Sequence, residues 1–258
     1  MRLTRRSALA AGATGVLGLG GAGLPNAARA RDLNAATPLT VAARSIPAFL
    51  PRSPETKRFG SLAFRSGLVL SANEPAFGGF SGLSRSPDGS RLVAVTDRGS
   101  WLTARLVSSL GSLTAVDDAV MAPMLNAQGR PLGRSRSYDV ECLCIDKGMA
   151  FVGIERSHEV LRFDWDRRGV AARGQPVPLP SEARRLPANR GVEAIGVAPA
   201  RSRLAGALIA LAERSGEVDE PTAGFIIGGP RPGPFGYWLK DGYEVTDLAF
   251  LPLSLIHI

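Results

Sequence analysis

Three times along the sequence, an apolar run of strand length ends in a carboxylate followed by arginine. The runs are Leu92-Val-Ala-Val-Thr-Asp97-Arg98, Ala150-Phe-Val-Gly-Ile-Glu155-Arg156 and Leu208-Ile-Ala-Leu-Ala-Glu213-Arg214. Each acid falls 58 residues after the one before it. Carboxylates brought to one place can hold a hard cation such as Ca²⁺ through oxygen. Arginines beside them can pair with the oxygens of a phosphate ester. Crowded carboxylates also repel, so either one of them keeps a proton at unusually high pH or a cation neutralises the group. The same acid-arginine pairs can instead cap strand ends, because repeat proteins reuse structural residues in every unit.

Positioning these residues requires strands. A partner precedes each run: Phe80-Ser81-Gly82-Leu83, Val140-Glu141-Cys142-Leu143 and Val192-Glu193-Ala194-Ile195, with a fourth at Val245-Thr246-Asp247-Leu248. Ser86-Pro-Asp-Gly89 and Asp146-Lys-Gly148 are the turns between partners in the first two units. Each unit therefore reads as antiparallel strands joined by a tight turn, and a period of about 50 residues is that of propeller blades. The predicted fold is all-β, a β-propeller with about four blades present. In a propeller the first strand of each blade lines the channel and the second runs back beside it. Glu141, Glu193 and Asp247 at first strands and Asp97, Glu155 and Glu213 at the ends of second strands should then share one face around the axis.

Roles follow from that placement. Glu141 and Glu155 are the candidate acid/base pair, joined by His158 in Glu155-Arg-Ser-His158. Asp97, Glu193, Glu213 and Asp247 are candidate cation ligands, and Arg98, Arg156 and Arg214 are candidates to hold anionic substrate oxygens. Other chemistries lack parts. Gly79-Phe-Ser81-Gly82 falls short of a nucleophile elbow, the second of two histidines is His257 near the end, and no phosphate-binding glycine loop occurs.

The chain has 258 residues, of which 45% are hydrophobic, with 30 glycines and 19 prolines, enough for a sizeable core in a turn-rich fold. Residues 1–30 read as a twin-arginine export signal. Arg5-Arg6 precede an uncharged stretch from Ser7 to Asn26, and Ala28-Arg29-Ala30 offers the cleavage site. The stretch is mostly Ala and Gly, so no stable membrane anchor is expected. The signal implies passage through the twin-arginine translocase to the periplasm or beyond. Its loss lowers the net charge from +8 to +4, and the remaining arginines form no run suited to nucleic acid.

Residues 31–57 read as a linker with a closing strand from Leu39 to Ala42. A hairpin follows, Leu62-Ala-Phe64 to Leu68-Val-Leu70, and the propeller is expected over 58–252. Residues 253–258 read as a foreign tail on a truncated frame. Cys142 and Cys144 lie two apart in a predicted strand, which argues against a disulfide between them or a zinc site.

The blocks Phe80-Ser-Gly-Leu83, Val95-Thr-Asp-Arg-Gly99, Tyr138-Asp-Val-Glu-Cys-Leu143, Gly153-Ile-Glu-Arg-Ser-His158, Leu186-Pro-Ala-Asn-Arg-Gly-Val-Glu-Ala-Ile195 and Val245-Thr-Asp-Leu-Ala249 resemble the bacterial phytase-like family, also described as "esterase-like activity of phytase". The resemblance covers about residues 58–252. It implies a propeller related to calcium-dependent phytases, hence a calcium cofactor and a small ester or phosphoester substrate. A non-catalytic propeller that binds a ligand or partner is the alternative, and a lactonase-like propeller using the same funnel is a third.

Overall fold

Short apolar runs separated by Gly, Pro, Asp and Ser leave the chain little choice but antiparallel strands. The computed structural model describes residues 35–134, 139–188, 190–217 and 219–250. The export signal expected over 1–30 and the tail expected over 253–258 lie outside the described residues. Before the repeats come β1 (Thr37–Leu39), β2 (Val41–Ser45), β3 (Arg58–Phe59), β4 (Leu62–Ala63) and β5 (Leu68–Ala72). Blade one holds β6 (Phe80–Arg85), β7 (Arg91–Thr96), β8 (Ser100–Ser109) and β9 (Ser112–Pro123). Blade two holds β10 (Val140–Asp146), β11 (Met149–Ile154), β12 (Glu159–Asp164) and, after a one-turn helix α1 (Trp165–Arg168), β13 (Gln175–Val177). Blade three holds β14 (Val192–Val197), β15 (Leu208–Ala212), β16 (Thr222–Ile227) and β17 (Gly233–Tyr237).

Within every blade the strands pair in sequence order, and β1 adds a fifth strand beside β9. The innermost strand of blade two, β10, lies between β6 and β14. Meanders placed side by side along their first strands are successive blades of a β-propeller, the architecture the repeat predicts. The turn Lys147-Gly148 has positive φ at both residues (45° and 77°), the geometry of a two-residue hairpin loop. In blade one, the Asp88 carboxylate accepts bonds from the Ser90 N–H (3.0 Å) and hydroxyl (2.7 Å), fixing the predicted turn.

Two expectations are corrected. The stretch read as linker supplies β1 to blade one and β2 to a separate pair with β5, so the closing strand is split at Thr40. The hairpin expected between Leu62 and Leu70 does not form. Leu62–Ala63 pairs with Arg58–Phe59 instead, because β5 is taken by β2. Residues 238–250 form no ladder among the described residues, yet Leu248 and Phe250 lie against Gly196 of β14, where a next inner strand belongs. No helix among the described residues is long and apolar enough to cross a membrane.

The two largest core clusters sit between blades, and smaller ones lie on blade one and within blade three. Val95 and Trp101 of blade one pack with Leu143, Val152 and Phe163 of blade two, with the Trp101 ring edge-on to Phe163 at 5.1 Å. Cys142 and Val160 of blade two pack with Val192, Ile195 and Phe225 of blade three. Glycine sets how closely the inner strands approach. A Cβ on Gly82 would stand 2.8 Å from the Leu143 backbone nitrogen. Gly82→Ala must therefore part β6 from β10. An overpacking cost of about 1–3 kcal/mol corresponds to a Tm drop of about 3–10 °C for a domain of this size, measurable by calorimetry. An unchanged Tm would show that the blades are not held at this spacing.

A carboxylate cluster at the blade convergence

Each inner strand is interrupted by a one-residue bulge at the same place. The register shifts between Phe80 and Gly82, between Val140 and Cys142, and between Val192 and Ala194. Ser81, Glu141 and Glu193 are the extra residues, left without a cross-strand partner and so free to be re-aimed. The buried neighbours Val140, Cys142, Val192 and Ala194 hold the strand on either side. Just past the bulge the ladder resumes through one recurring bond. The N–H groups of Asp97, Glu155 and Glu213 donate to the carbonyls of Gly79, Asp139 and Gly191 at 2.8, 2.8 and 3.2 Å. These bonds place the acid after each second strand beside the bulge of its own first strand.

The side chains converge. Carboxyl oxygens of Asp139, Glu141 and Glu155 lie within 4.8 Å of one another, and so do those of Glu155, Glu193 and Glu213. Glu155 belongs to both groups and is only 6% exposed. Two unit charges this close repel by about 3 kcal/mol at the effective dielectric of a protein. Burial, then Asp139 and Glu155, push the Glu141 carboxyl up to about 7, while the Ser81 hydroxyl opposes the shift by donating to it. Burial, then Glu141, Glu155 and Glu213, push Glu193 up to about 8. Glu213 is also raised, by burial first and then by Glu244 and Glu155. The cluster is one negative charge centre that protons or a cation must relieve.

The donors fit a hard divalent cation. All are carboxylate oxygens, and ligands opposite each other around Ca²⁺ stand up to about 5 Å apart at its bond lengths. Glu141, Glu155, Glu193 and Glu213, singled out from sequence, are thus brought together. Asp139 joins them and was missed. Its signal was the slot before the first strand, Gly79 and Gly191 in the neighbouring blades but Asp in blade two.

Asp97 and Asp247 stand apart from both groups. One Asp97 oxygen is buried against Gly79 without a hydrogen bond, with Arg98 Nε 3.7 Å away. Burial raises the Cys142 and Cys144 thiols, and Asp247 is among the charges that add to both shifts. In sequence, matching Val245 to Val192 puts Thr246 and not Asp247 at the position of Glu193. His158 closes the turn after β11, its N–H donating to the Glu155 carbonyl at 3.0 Å. Its ring lies against Gly191, with a buried Nδ1 lacking a hydrogen bond, and lines a separate hollow with Pro176, Leu179 and Arg184. Arg156 is drawn to Asp139 and Arg214 to Glu244, both at 2.8 Å. Arg98 is the most exposed of the three, with 68% of its side chain open to solvent.

Comparison with known proteins places this geometry in context. The sequence matches the family model described as phytase-like, "Esterase-like activity of phytase", over residues 75–255. No curated protein matches the chain. Similar solved structures include a protein from Bacteroides uniformis described provisionally as a 6-phosphogluconolactonase (17% identity, TM-score 0.36, 61% of this chain and 39% of that one). A streptogramin B lyase is similar at 12% identity and a TM-score of 0.34, over 63% of this chain and 41% of that one. The computationally designed Ika4 protein is similar at 16% identity and a TM-score of 0.35, over 69% of this chain and 83% of that one. The chain thus spans well under half the length of the first two.

The raised carboxyls give stability a pH dependence. Between the ordinary carboxyl value of 4.5 and about 8, the folded Glu193 keeps a proton that the unfolded chain has released. Stability therefore falls as pH rises through that window. In the presence of chelator, Tm should decline from about pH 5 to about pH 8. Glu193→Gln should recover about 2–6 °C at the upper end, and added calcium should do the same for the parent chain. A flat profile that neither change moves would mean the carboxylates are not in conflict.

Proposed function

The chain belongs to the phytase-like family, and from that premise we propose that it is an exported hydrolase of ester or phosphoester bonds working at the carboxylate cluster. The family description supports hydrolase chemistry in general. The finer reading, with a calcium ion, a small ester substrate and export through the twin-arginine translocase to the periplasm or beyond, is our proposal. The observation that carries it is Glu155, a buried carboxylate shared by two groups of three acids, a cost in charge repulsion that packing alone does not call for.

Glu155, Glu193 and Glu213, with Asp139 and Glu141, would hold the cation. A bound divalent cation supplies positive charge beside a developing oxyanion. Without a cation, Glu141 is pushed up to about 7; beside a bound cation it would be held ionised, the state in which it can take a proton from water. Arg98 is the guanidinium best exposed to meet an anionic substrate oxygen, while Arg156 and Arg214 position Asp139 and Glu244. A non-catalytic binding propeller is the second reading. It draws on the bond that recurs from Asp97, Glu155 and Glu213 to the preceding strand, because that bond serves the scaffold equally in every blade.

Hydrolysis of phytate, p-nitrophenyl phosphate, p-nitrophenyl acetate and a lactone, with calcium and with chelator, separates the two. Calcium-dependent turnover of one ester class is expected, and Glu141→Gln should lower kcat about 10²–10⁴-fold with little change in KM. Absence of turnover on all four from folded protein would leave the binding reading in its place.

A further inference from the structure

Far from the carboxylates, blade two carries a second charged feature of opposite sign. A half-open hollow of about 680 Å³ is lined by Arg162, Arg167, Arg168 and Arg173, with Asp164 and Gln175. Met149 at its lip starts β11, and Glu155 follows the other end of that strand. Six residues of extended chain put the two sites about 20 Å apart.

The four guanidinium groups are poorly neutralised. Asp164 is the sole carboxylate lining the hollow, and it meets Arg167 at a loose 3.8 Å. The Asp166 carboxylate lies over Gly148 and is not among the residues lining the hollow. No ion pair or side-chain hydrogen bond engages Arg162, Arg168 or Arg173 among the described residues. They are nonetheless held on built positions. Arg162 projects from β12 between the buried Leu161 and Phe163, across the ladder from Gln175. The Arg173 guanidinium lies over the turn at Gly129, with its carbon 3.2 Å from where a Cβ there would stand, so that bare backbone makes room for it.

Like charges gathered round one concavity repel, and an anion with several oxygens relieves them while matching the planar donor fork of arginine. The volume falls in the range of small-molecule sites and exceeds the need of one phosphate group. No aromatic side chain lines the hollow, so it lacks the stacking surface that single-stranded nucleic acid uses. We propose that this hollow is a binding site for a soluble small molecule carrying two or more phosphate groups, separate from the carboxylate cluster.

Inorganic tripolyphosphate is the probe, titrated calorimetrically into the full chain in chelator, which removes cation bridging at the acidic cluster. Saturable one-to-one binding is expected. The double variant R162A/R168A should weaken it about 10- to 100-fold, with Arg168→Glu as a second variant at an exposed position. Glu155→Gln should leave it unchanged, so the result is independent of whether the chain hydrolyses esters. Undiminished binding by the arginine variants, provided they keep the parent Tm, would overturn the proposal. So would an absence of heat. Co-sedimentation with phosphatidylcholine–phosphatidylglycerol vesicles that tripolyphosphate does not compete away would also overturn it, by pointing to a membrane surface instead.

Discussion

Carboxylates that repel one another have to be kept together by something stronger than themselves, and here that is the packing of one blade on the next. The Glu155 N–H is tied to the Asp139 carbonyl, so this acid cannot withdraw from its neighbours without breaking the ladder at the end of β11. Glu141 and Glu193 sit in bulges bounded on both sides by buried residues, of which Val140, Cys142 and Val192 belong to the two cores between blades. Moving either acid outward would slide β10 or β14 against its partner and expose part of a core. Each buried aliphatic side chain contributes about 1.5–3 kcal/mol. A few such side chains on each interface exceed a pairwise repulsion of about 3 kcal/mol. The conflict is therefore relieved at the carboxyl groups, by uptake of protons or a cation, and not by the backbone.

How much of this was legible from sequence depends on periodicity. The second strands β7, β11 and β15 announce themselves as apolar runs closed by an acid, and the first strands are found by looking one turn upstream. A bulge leaves no such trace, because it is a shift of one residue inside an otherwise ordinary strand. Glu141 and Glu193 were recognisable because each directly follows the valine that opens its strand, whereas after Val245 that position is Thr246 and Asp247 was matched in its place. The hairpin misread at Leu62–Leu70 has a different cause. Ser66-Gly67 is sound turn chemistry, but the partner of β5 lies more than twenty residues upstream in β2, and local signals carry no information about so distant a pairing. His158 was plausible by adjacency alone. Its positive φ of 49° turns the ring toward Gly191 and out of the acid groups.

Repetition and chemistry occupy different positions. What the blades share is scaffold: the bulge, the bond from the acid N–H to the preceding strand, and the arginine that follows. What makes the cluster is where they differ. The bulge residue is Ser in blade one and Glu in the next two, and the slot before the first strand is Gly, Asp and Gly in turn. At Gly79 and Gly191 a Cβ would strike the Asp97 carboxylate or the Glu155 carbonyl, whereas Asp139 at the matching place adds a fifth oxygen donor. The three arginines diverge for the same reason. Arg156 meets Asp139 within its own blade, Arg214 reaches forward to Glu244, and Arg98 finds neither and stays open.

Blade two is consequently polarised along its strands. Glu155 and Glu141 stand at the end of β11 and β10 nearest the blade convergence, and Arg162 of β12 gathers with Arg167, Arg168 and Arg173 toward the opposite end. Strands of six or seven residues keep the two sets about 20 Å apart, more than twice the Debye length of about 8 Å at physiological ionic strength. At that distance neither set can neutralise the other, although they are joined by continuous, well-packed backbone. Opposite charges that could have cancelled within one blade are instead held apart, each facing its own concavity. An arrangement serving only solubility would gain nothing from that separation, since mixed charges on a surface suffice. On the two proposals made above, the poles of charge on this sheet are places where something of the opposite sign would bind.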